Sequence, residues 1–262
     1  MSEYFFPFGQ PLTKIQQRPE NRTKKKAFVL GVYASAVHAK WIDKNGKQKV
    51  SALAVASEPD IFWRGENAEQ IISAIKIPQE LGKLTVPANK ELNGPSGRSL
   101  DKLFLTPLGL DRKSTWLCDL LPESRVNESQ RKAIDKHYTD AIIKQFKLSP
   151  ASIPNFDKAE LNSQARREEI LKELEASQAD TLILLGDLPI YWLLRFHDKR
   201  YSKLSQFGDT KEAYGRMHEI KINNRAYNVV PLCHPRQADR LGKSNAKWRI
   251  LHDNWTKEKI SS

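Results

Sequence analysis

Two titratable side chains in the sequence, Asp119 and His234, each follow a cysteine near the end of an apolar run. The two stretches read TWLCDLLP and VVPLCHPRQ. An ionised carboxylate accepts hydrogen bonds and can take up a proton, whereas a neutral imidazole can donate a hydrogen bond as well as accept one. Functional groups in parallel sheets gather at the carboxyl ends of the strands, which share one edge. We therefore predict that Asp119 and His234 lie at such an edge, as candidate functional residues.

The elements that must position these residues are four almost uniformly apolar runs, a pattern typical of strands covered on both faces. They span residues 27–33, 115–121, 181–186 and 227–232. Helical patterns occupy residues 129–148, 163–177, 188–196 and 244–255. Strands separated by helices predict an α/β fold, specifically a three-layer α/β/α sandwich with a four-stranded, mainly parallel sheet.

A long insertion, residues 37–102, separates the first two predicted strands. It contains a predicted β-hairpin with strands at residues 37–42 and 49–56, joined through Asn45-Gly46, a pair that favours a tight hairpin turn. Residues 1–26 are interpreted as an N-terminal extension. We predict that residues 1–262 form a single domain.

The composition favours a polyanionic partner. The 262 residues carry a formal net charge of +12, and 39% of them are hydrophobic, which is enough for a packed core. No apolar run is long enough to cross a membrane and no signal-peptide pattern is present, so we expect a cytoplasmic protein. A monomer is the expected oligomeric state, which the sequence patterns leave open. The two cysteines predict neither a disulfide framework nor a zinc site. Phosphate-binding glycine patterns are missing, so we expect no nucleotide cofactor. We also predict that the protein uses no metal and no organic cofactor.

Four stretches taken in chain order resemble the motifs of the uracil-DNA glycosylase superfamily over residues 27–255. They read VLGVYASA, TWLCDLLP, LILLGDLP and VVPLCHPRQ. The resemblance implies the glycosylase fold and an enzyme that flips a nucleotide out of the duplex into a pocket. It also implies that His234 donates a hydrogen bond to the departing base. Residues that follow His234 lie where the superfamily inserts a loop into DNA, and the candidate DNA contacts are Arg236, Gln237, Arg240 and Lys243.

Asp119 falls where the superfamily often places an asparagine that reads the edge of a pyrimidine. An amide can both donate and accept, whereas an ionised carboxylate only accepts. Such a carboxylate suits the N4 amino group of cytosine and repels O4 of uracil. Alternatively, Asp119 supplies the catalytic carboxylate, which some members carry outside the first motif.

The stretch GVYASAVH matches the first motif of the superfamily and departs from it at two places. Val32 and Tyr33 stand where members carry an acid or an amide. Ser35 stands where uracil-specific members carry a tyrosine that crowds C5 of the base. We predict a turn of small residues here and a base pocket with room at C5, lined by Gly31, Val32, Tyr33, Ala34, Ser35 and His38.

These departures together suit a cytosine with a bulky 5-substituent, such as the hydroxymethylated or glucosylated base of phage DNA. We predict a monofunctional DNA glycosylase, because no lysine at a strand end could form a Schiff base. The expected partner is phage or damaged DNA. Two alternatives stay open: a repair glycosylase for uracil or another deaminated base, and a catalytically inactive DNA-binding module.

Overall fold

The structure, a computed structural model, describes residues 4–15, 23–239 and 246–261, and strands in these residues form two sheets. Five strands lie in the order β5-β1-β6-β8-β7 and three in the order β3-β2-β4. The strands are β1 Ala27–Ala34, β2 Ala36–Ile42, β3 Gln48–Ser57, β4 Lys83–Thr85, β5 Thr115–Ser124, β6 Thr181–Leu185, β7 His218–Ile222 and β8 Arg225–Leu232. The predicted α/β class is therefore confirmed.

The helices lie mainly between these strands, and none in the described part of the chain is long and apolar enough to cross a membrane. They are α1 Ala68–Ala74, α2 Pro95–Ser99, α3 Glu128–His137, α4 Asp140–Phe146, α5 Gln164–Ser177, α6 Asp187–Trp192, α7 Pro235–Ala238 and α8 Ala246–Ser261. A π-helical stretch, Leu100–Leu105, follows α2.

Two of the helix predictions have different outcomes. The helix predicted from Ser163 is confirmed, because the Ser163 hydroxyl accepts the Arg166 N–H and caps α5. The single helix predicted over residues 129–148 is wrong. It is divided into α3 and α4 because the Thr139 side chain accepts the Ile142 N–H and starts a new helix.

The chain divides into two compact units. Among the described residues, the first unit comprises 4–15, 33–95 and 122–158, and the second comprises 23–32, 96–121, 159–239 and 246–261. The assignment of residues 1–262 to a single domain stays a prediction.

Most of the five-stranded sheet belongs to the second unit. β1 pairs in parallel with β6, and β6 pairs in parallel with β8. β5 runs in the direction of β1, since the Lys26 N–H bonds Ser114 O before the two strands and the Arg125 N–H bonds Ala34 O near their ends. The four predicted strands are therefore confirmed as neighbours in a mostly parallel sheet.

The prediction of only four strands is wrong, because β7 pairs antiparallel with β8 at the edge of the sheet. In β7, buried Ile220 and Ile222 alternate with exposed Glu219 and Lys221, the pattern of a strand covered on one face. The connecting Asn223-Asn224 pair has positive φ at both residues, as a tight hairpin turn requires. Both the alternating pattern and the Asn-Asn pair are present in the sequence, but a prediction based on uniformly apolar runs does not identify such a strand.

The first unit contains the three-stranded antiparallel sheet. The predicted hairpin is confirmed as β2 and β3, and the Asp43 carboxylate accepts the Asn45 and Lys47 N–H groups in its turn. β4 extends the sheet by pairing with β2. The predicted turn of small residues is wrong, because β1 leads into β2 with Ser35 alone between them.

Aromatic side chains from distant parts of the chain form the core of the first unit. Phe8 packs edge-to-face on Trp41 at 5.2 Å and on Tyr138 at 5.0 Å between ring centroids. Phe8 lies in the predicted N-terminal extension, so the described part of that extension contributes to this core.

Gly186, which follows β6, has a backbone that only glycine adopts readily. Its φ of 88° and ψ of −173° lie outside the left-handed helical region, and its N–H donates to Leu232 O at 2.8 Å. Gly109 provides a matched control, because its φ of 63° and ψ of 27° are left-handed helical values and nothing lies within 4 Å of an added Cβ.

We expect Gly186→Ala to lower the free energy of unfolding by about 3 kcal/mol and Gly109→Ala by about 1 kcal/mol. Urea titrations followed by circular dichroism would measure both. Equal losses in the two variants would contradict the assigned constraint at Gly186.

Candidate functional site

Asp119 lies in the middle of β5 rather than at its end, because the strand continues to Ser124. Its neighbours face α5: the Trp116 indole N–H donates to Glu173 at 3.0 Å, and Arg166 Nη2 lies 3.2 Å from Cys118 Sγ. Since side chains alternate along a strand, Asp119 points to the opposite face of the sheet.

Asp119 is one of the few charged residues buried in the described part of the chain. The residue is 3% exposed, and no donor in the described part of the chain bonds its carboxylate oxygens. Desolvation raises the pKa of Asp119 to about 7; the Arg166 charge opposes this rise and the Glu173 charge adds to it. The carboxyl group is therefore present in both protonation states near neutral pH.

Arg166 anchors the backbone of β5 at this position. Its Nη2 donates to Asp119 O at 2.7 Å and its Nε to Leu120 O at 3.3 Å. Its Nη1 pairs with Glu169 and Glu173 at 3.0 Å each. The arginine thus holds the strand through the Asp119 carbonyl and makes no hydrogen bond to the Asp119 carboxyl group.

His234 lies two residues beyond the end of β8 and caps α7. Its Nδ1 accepts the Arg236 N–H at 3.2 Å, and its own N–H donates to Gln237 Oε1 at 3.1 Å. Because Nδ1 is an acceptor, we assign the ring proton to Nε2. Desolvation, helped by the Arg236 charge, lowers the pKa of His234 to about 4. At neutral pH this residue is an uncharged hydrogen-bond donor.

A buried hydrogen-bonded chain holds the residue before His234. The Cys233 N–H donates to Tyr214 Oη at 2.9 Å, Tyr214 Oη lies 2.8 Å from His252 Nδ1, and His252 Nε2 lies 2.9 Å from Leu103 O. A carbonyl only accepts, so His252 carries its proton on Nε2 and Tyr214 donates to Nδ1. Each polar atom along the chain therefore has a partner, and the backbone entering His234 is rigidly placed.

Asp119 and His234 flank the two central strands of the sheet. β1 and β6 lie between β5 and β8, so with neighbouring strands about 4.8 Å apart the strands β5 and β8 are separated by about 14 Å. Gly31 in β1 and Gly186 after β6 occupy the intervening strands and have no side chains. After β1 the chain re-enters the sheet on one side, at β5. After β6 it continues on the other side, at β7 and β8. The connections therefore diverge between β1 and β6, which defines a topological switch point there.

The remaining predicted pocket residues are distributed over both units. Gly31 and Val32 are buried in the second unit. Tyr33, Ala34, Ser35 and His38 belong to the first unit, where the Tyr33 ring stacks on Phe156 with centroids 4.3 Å apart. Ala34 is buried at the end of β1.

Ser35 and His38 meet around Gln130, a residue that the sequence analysis missed. Gln130 Nε2 lies 2.7 Å from His38 Nε2 and 3.4 Å from Ser35 Oγ, while its Oε1 accepts the Asn127 N–H. Asn93 bonds both the N–H and the carbonyl of His38. Desolvation lowers the pKa of this buried histidine to about 4, partly opposed by the Leu92 carbonyl. The Asn127-x-x-Gln130 spacing is a capping-box signature that could have identified Gln130.

The candidate DNA contacts have different surroundings. Arg236 is exposed, whereas the Gln237 amide oxygen is engaged with the His234 N–H. Arg240 and Lys243 lie outside the described residues. Within residues 4–15, 23–239 and 246–261, no group of three or more histidine, cysteine or acidic side chains is placed to hold a metal ion.

Comparison with known proteins does not assign a family: no protein-family model and no curated protein matches the chain. The functional argument therefore depends on the geometry of Asp119 and His234.

The raised pKa of Asp119 makes a prediction about stability. The ordinary pKa is 3.8 and the folded value about 7, so the stability contributed by this group is fully present below about pH 4 and is lost as the pH rises through 7. We expect the free energy of unfolding of Asp119→Asn to exceed that of the wild type by a margin that grows from pH 5 to pH 8.

Urea titrations of the variant and the wild type at several pH values would measure this margin. Both proteins contain the same histidines, so the histidine contributions to the pH dependence of unfolding cancel in the difference. Asp180→Asn is the matched control, because the Asp180 side chain is 77% exposed. A margin for Asp119→Asn that does not change with pH would contradict the assignment.

Proposed function

We propose that the protein is a monofunctional DNA glycosylase with a uracil-DNA glycosylase-like α/β/α sandwich, acting on a 5-modified cytosine of phage DNA in the cytoplasm. The observation that carries this proposal is the buried, unpartnered Asp119 carboxyl on one side of the β1–β6 switch point, with the His234 Nε2–H group on the other. Buried titratable groups with shifted pKa values are typical of functional sites.

The proposed reaction breaks the bond between C1′ and the base nitrogen, and the electron pair of that bond leaves with the base. His234 stabilises the negative charge that develops on the base by donating from Nε2. A neutral donor suits this role, because it stabilises the anion without first having to be protonated. Water then adds to C1′ of the resulting sugar cation, and its released proton passes to solvent or to the ionised Asp119.

We propose a second role for Asp119, which is to recognise the edge of the flipped base by hydrogen bonding. Ionised, it accepts from the N4 amino group of a cytosine; protonated, it donates to O4 of a uracil. A pKa of about 7 makes both states accessible, so the pH dependence of excision reports which base is read.

The fold and the charge support a DNA substrate. Ligands of open α/β sheets bind at the topological switch point, and Gly31 in β1 and Gly186 directly after β6, on either side of it, have no side chains. The net charge of +12 and the exposed Arg236 beside His234 suit a phosphodiester backbone.

The substrate is tested with DNA duplexes containing uracil, hypoxanthine or glucosylated hydroxymethylcytosine, incubated with the protein and then cleaved with alkali. We expect strand breaks at the modified cytosine. Breaks confined to uracil or hypoxanthine would support the repair alternative. Binding without an abasic product on any substrate would support the inactive DNA-binding module.

For a cytosine-type base we expect kcat/KM to rise as the pH passes through about 7, since the ionised Asp119 is the stronger acceptor for the N4 amino group. We expect Asp119→Ala, which removes both the acceptor and the titratable group, to lower kcat/KM at least 100-fold and to abolish this rise. Initial rates measured between pH 5.5 and 9 would test both expectations. A rate that falls with pH would instead indicate that the protonated form reads a uracil-type base.

We expect His234→Gln to lower kcat by roughly 100- to 1,000-fold with little change in KM, because the lost hydrogen bond is made to the departing base. His137→Gln, which changes a histidine of the other unit, is the control. Equal rates for His234→Gln and the wild type would remove His234 from the mechanism.

A further inference from the structure

Four side chains of the second unit form a cation–aromatic cluster: Arg167, Tyr191, Arg195 and Phe196. The Arg195 guanidinium lies over the Tyr191 ring, 3.6 Å from its centroid, and 5.5 Å from the centroid of Phe196. The Arg167 guanidinium lies 4.2 Å from the same Phe196 centroid. Phe196 is 49% exposed, so a large part of its ring remains accessible beside two cations.

The charge of this cluster is not neutralised within the described part of the chain. Arg195 forms no ion pair or hydrogen bond there, although it shares the Phe196 ring with another arginine. The next residues add exposed Lys199 and Lys203, whereas Arg200 is paired with Asp198 at 2.6 Å. Like charges gathered around an exposed aromatic ring suit an anionic ligand that also has a flat apolar surface.

We propose that the cation–aromatic cluster binds single-stranded DNA, with an unpaired base stacked on the Phe196 and Arg195 surfaces and the neighbouring phosphate held by the guanidinium groups. Base faces are covered in a duplex and become available only when the strand is unpaired. Bases stack on aromatic rings and on arginine planes, and each such stack contributes substantially to affinity. The inference deepens the proposed function, on which it rests, by assigning a preference for unpaired over duplex DNA.

The helix that carries Arg167 contacts the strand of Asp119. Arg167 directly follows Arg166, which bonds the β5 backbone at Asp119 and Leu120. Helix α5, which also carries Arg167, is therefore bonded to the strand that contains Asp119. A base must leave its duplex before it can be excised, so binding of an unpaired strand suits the proposed reaction.

The test is fluorescence anisotropy with a fluorescein-labelled 12-nucleotide oligo(dT) and with a labelled 12-base-pair duplex, neither of which contains a modified base. We expect Phe196→Ala to weaken oligo(dT) binding about tenfold and duplex binding by less than twofold. We expect Arg195→Gln to reduce the slope of log K against log salt concentration by about 0.7.

Matched controls come from other exposed positions of the second unit. Met217→Ala removes a side chain that is 59% exposed, and Arg216→Gln removes an arginine paired with Glu258 at 2.8 Å. We expect both variants to bind oligo(dT) as the wild type does. Circular dichroism of each variant would verify that the fold is retained.

The outcomes separate this inference from the proposed function. Wild-type affinity of Phe196→Ala for oligo(dT), an equal loss for oligo(dT) and duplex, or displacement of oligo(dT) by poly-glutamate at equal charge concentration would overturn the single-strand assignment. None of these binding results depends on excision. The absence of abasic product from every modified duplex would instead count against the glycosylase and leave the binding result standing.

Discussion

The constraint that shapes the second unit is the burial of one ionisable carboxyl group inside a sheet without a hydrogen-bond donor. Burying a charge is unfavourable unless the charge is paired or removed by protonation. Asp119 has no partner for its carboxyl, so its pKa moves to about 7. The strand nevertheless keeps its place because Arg166, on the other face, binds the Asp119 and Leu120 carbonyls.

Burial raises the pKa of Asp119 but lowers the pKa of His234, to about 4, because in both residues it disfavours the charged form. The carboxyl group therefore holds a proton more readily than usual, and the imidazole less readily. Near neutral pH the two sides of the switch point then offer an exchangeable acceptor and an uncharged donor, a division of roles that environments create in acid–base sites. The Cys233–Tyr214–His252 chain makes the histidine side rigid, since each of its hydrogen bonds has only one possible direction.

Local patterns predicted most of the framework, and the errors have identifiable causes. The apolar runs identified β1, β5, β6 and β8, while β7 escaped because Ile220 and Ile222 alternate with charged residues. The periodic apolar positions of residues 129–148 suggested a continuous helix, but the local hydrogen bond of Thr139 interrupts it. The spacing of apolar residues indicates which face of a helix is buried, but it does not reveal a single capping hydrogen bond that ends one helix and starts another.

The sequence by itself determined the α/β class, the chief strands, the hairpin at Asn45-Gly46 and the candidacy of Asp119 and His234, because these depend on composition and short-range spacing. The tertiary structure decided what these two groups can do. Desolvation, the missing carboxylate partner at Asp119 and the proton position on His234 all arise from residues distant in the chain. The meeting of Arg167 with Phe196 has the same origin, since only folding brings α5 beside the segment after α6.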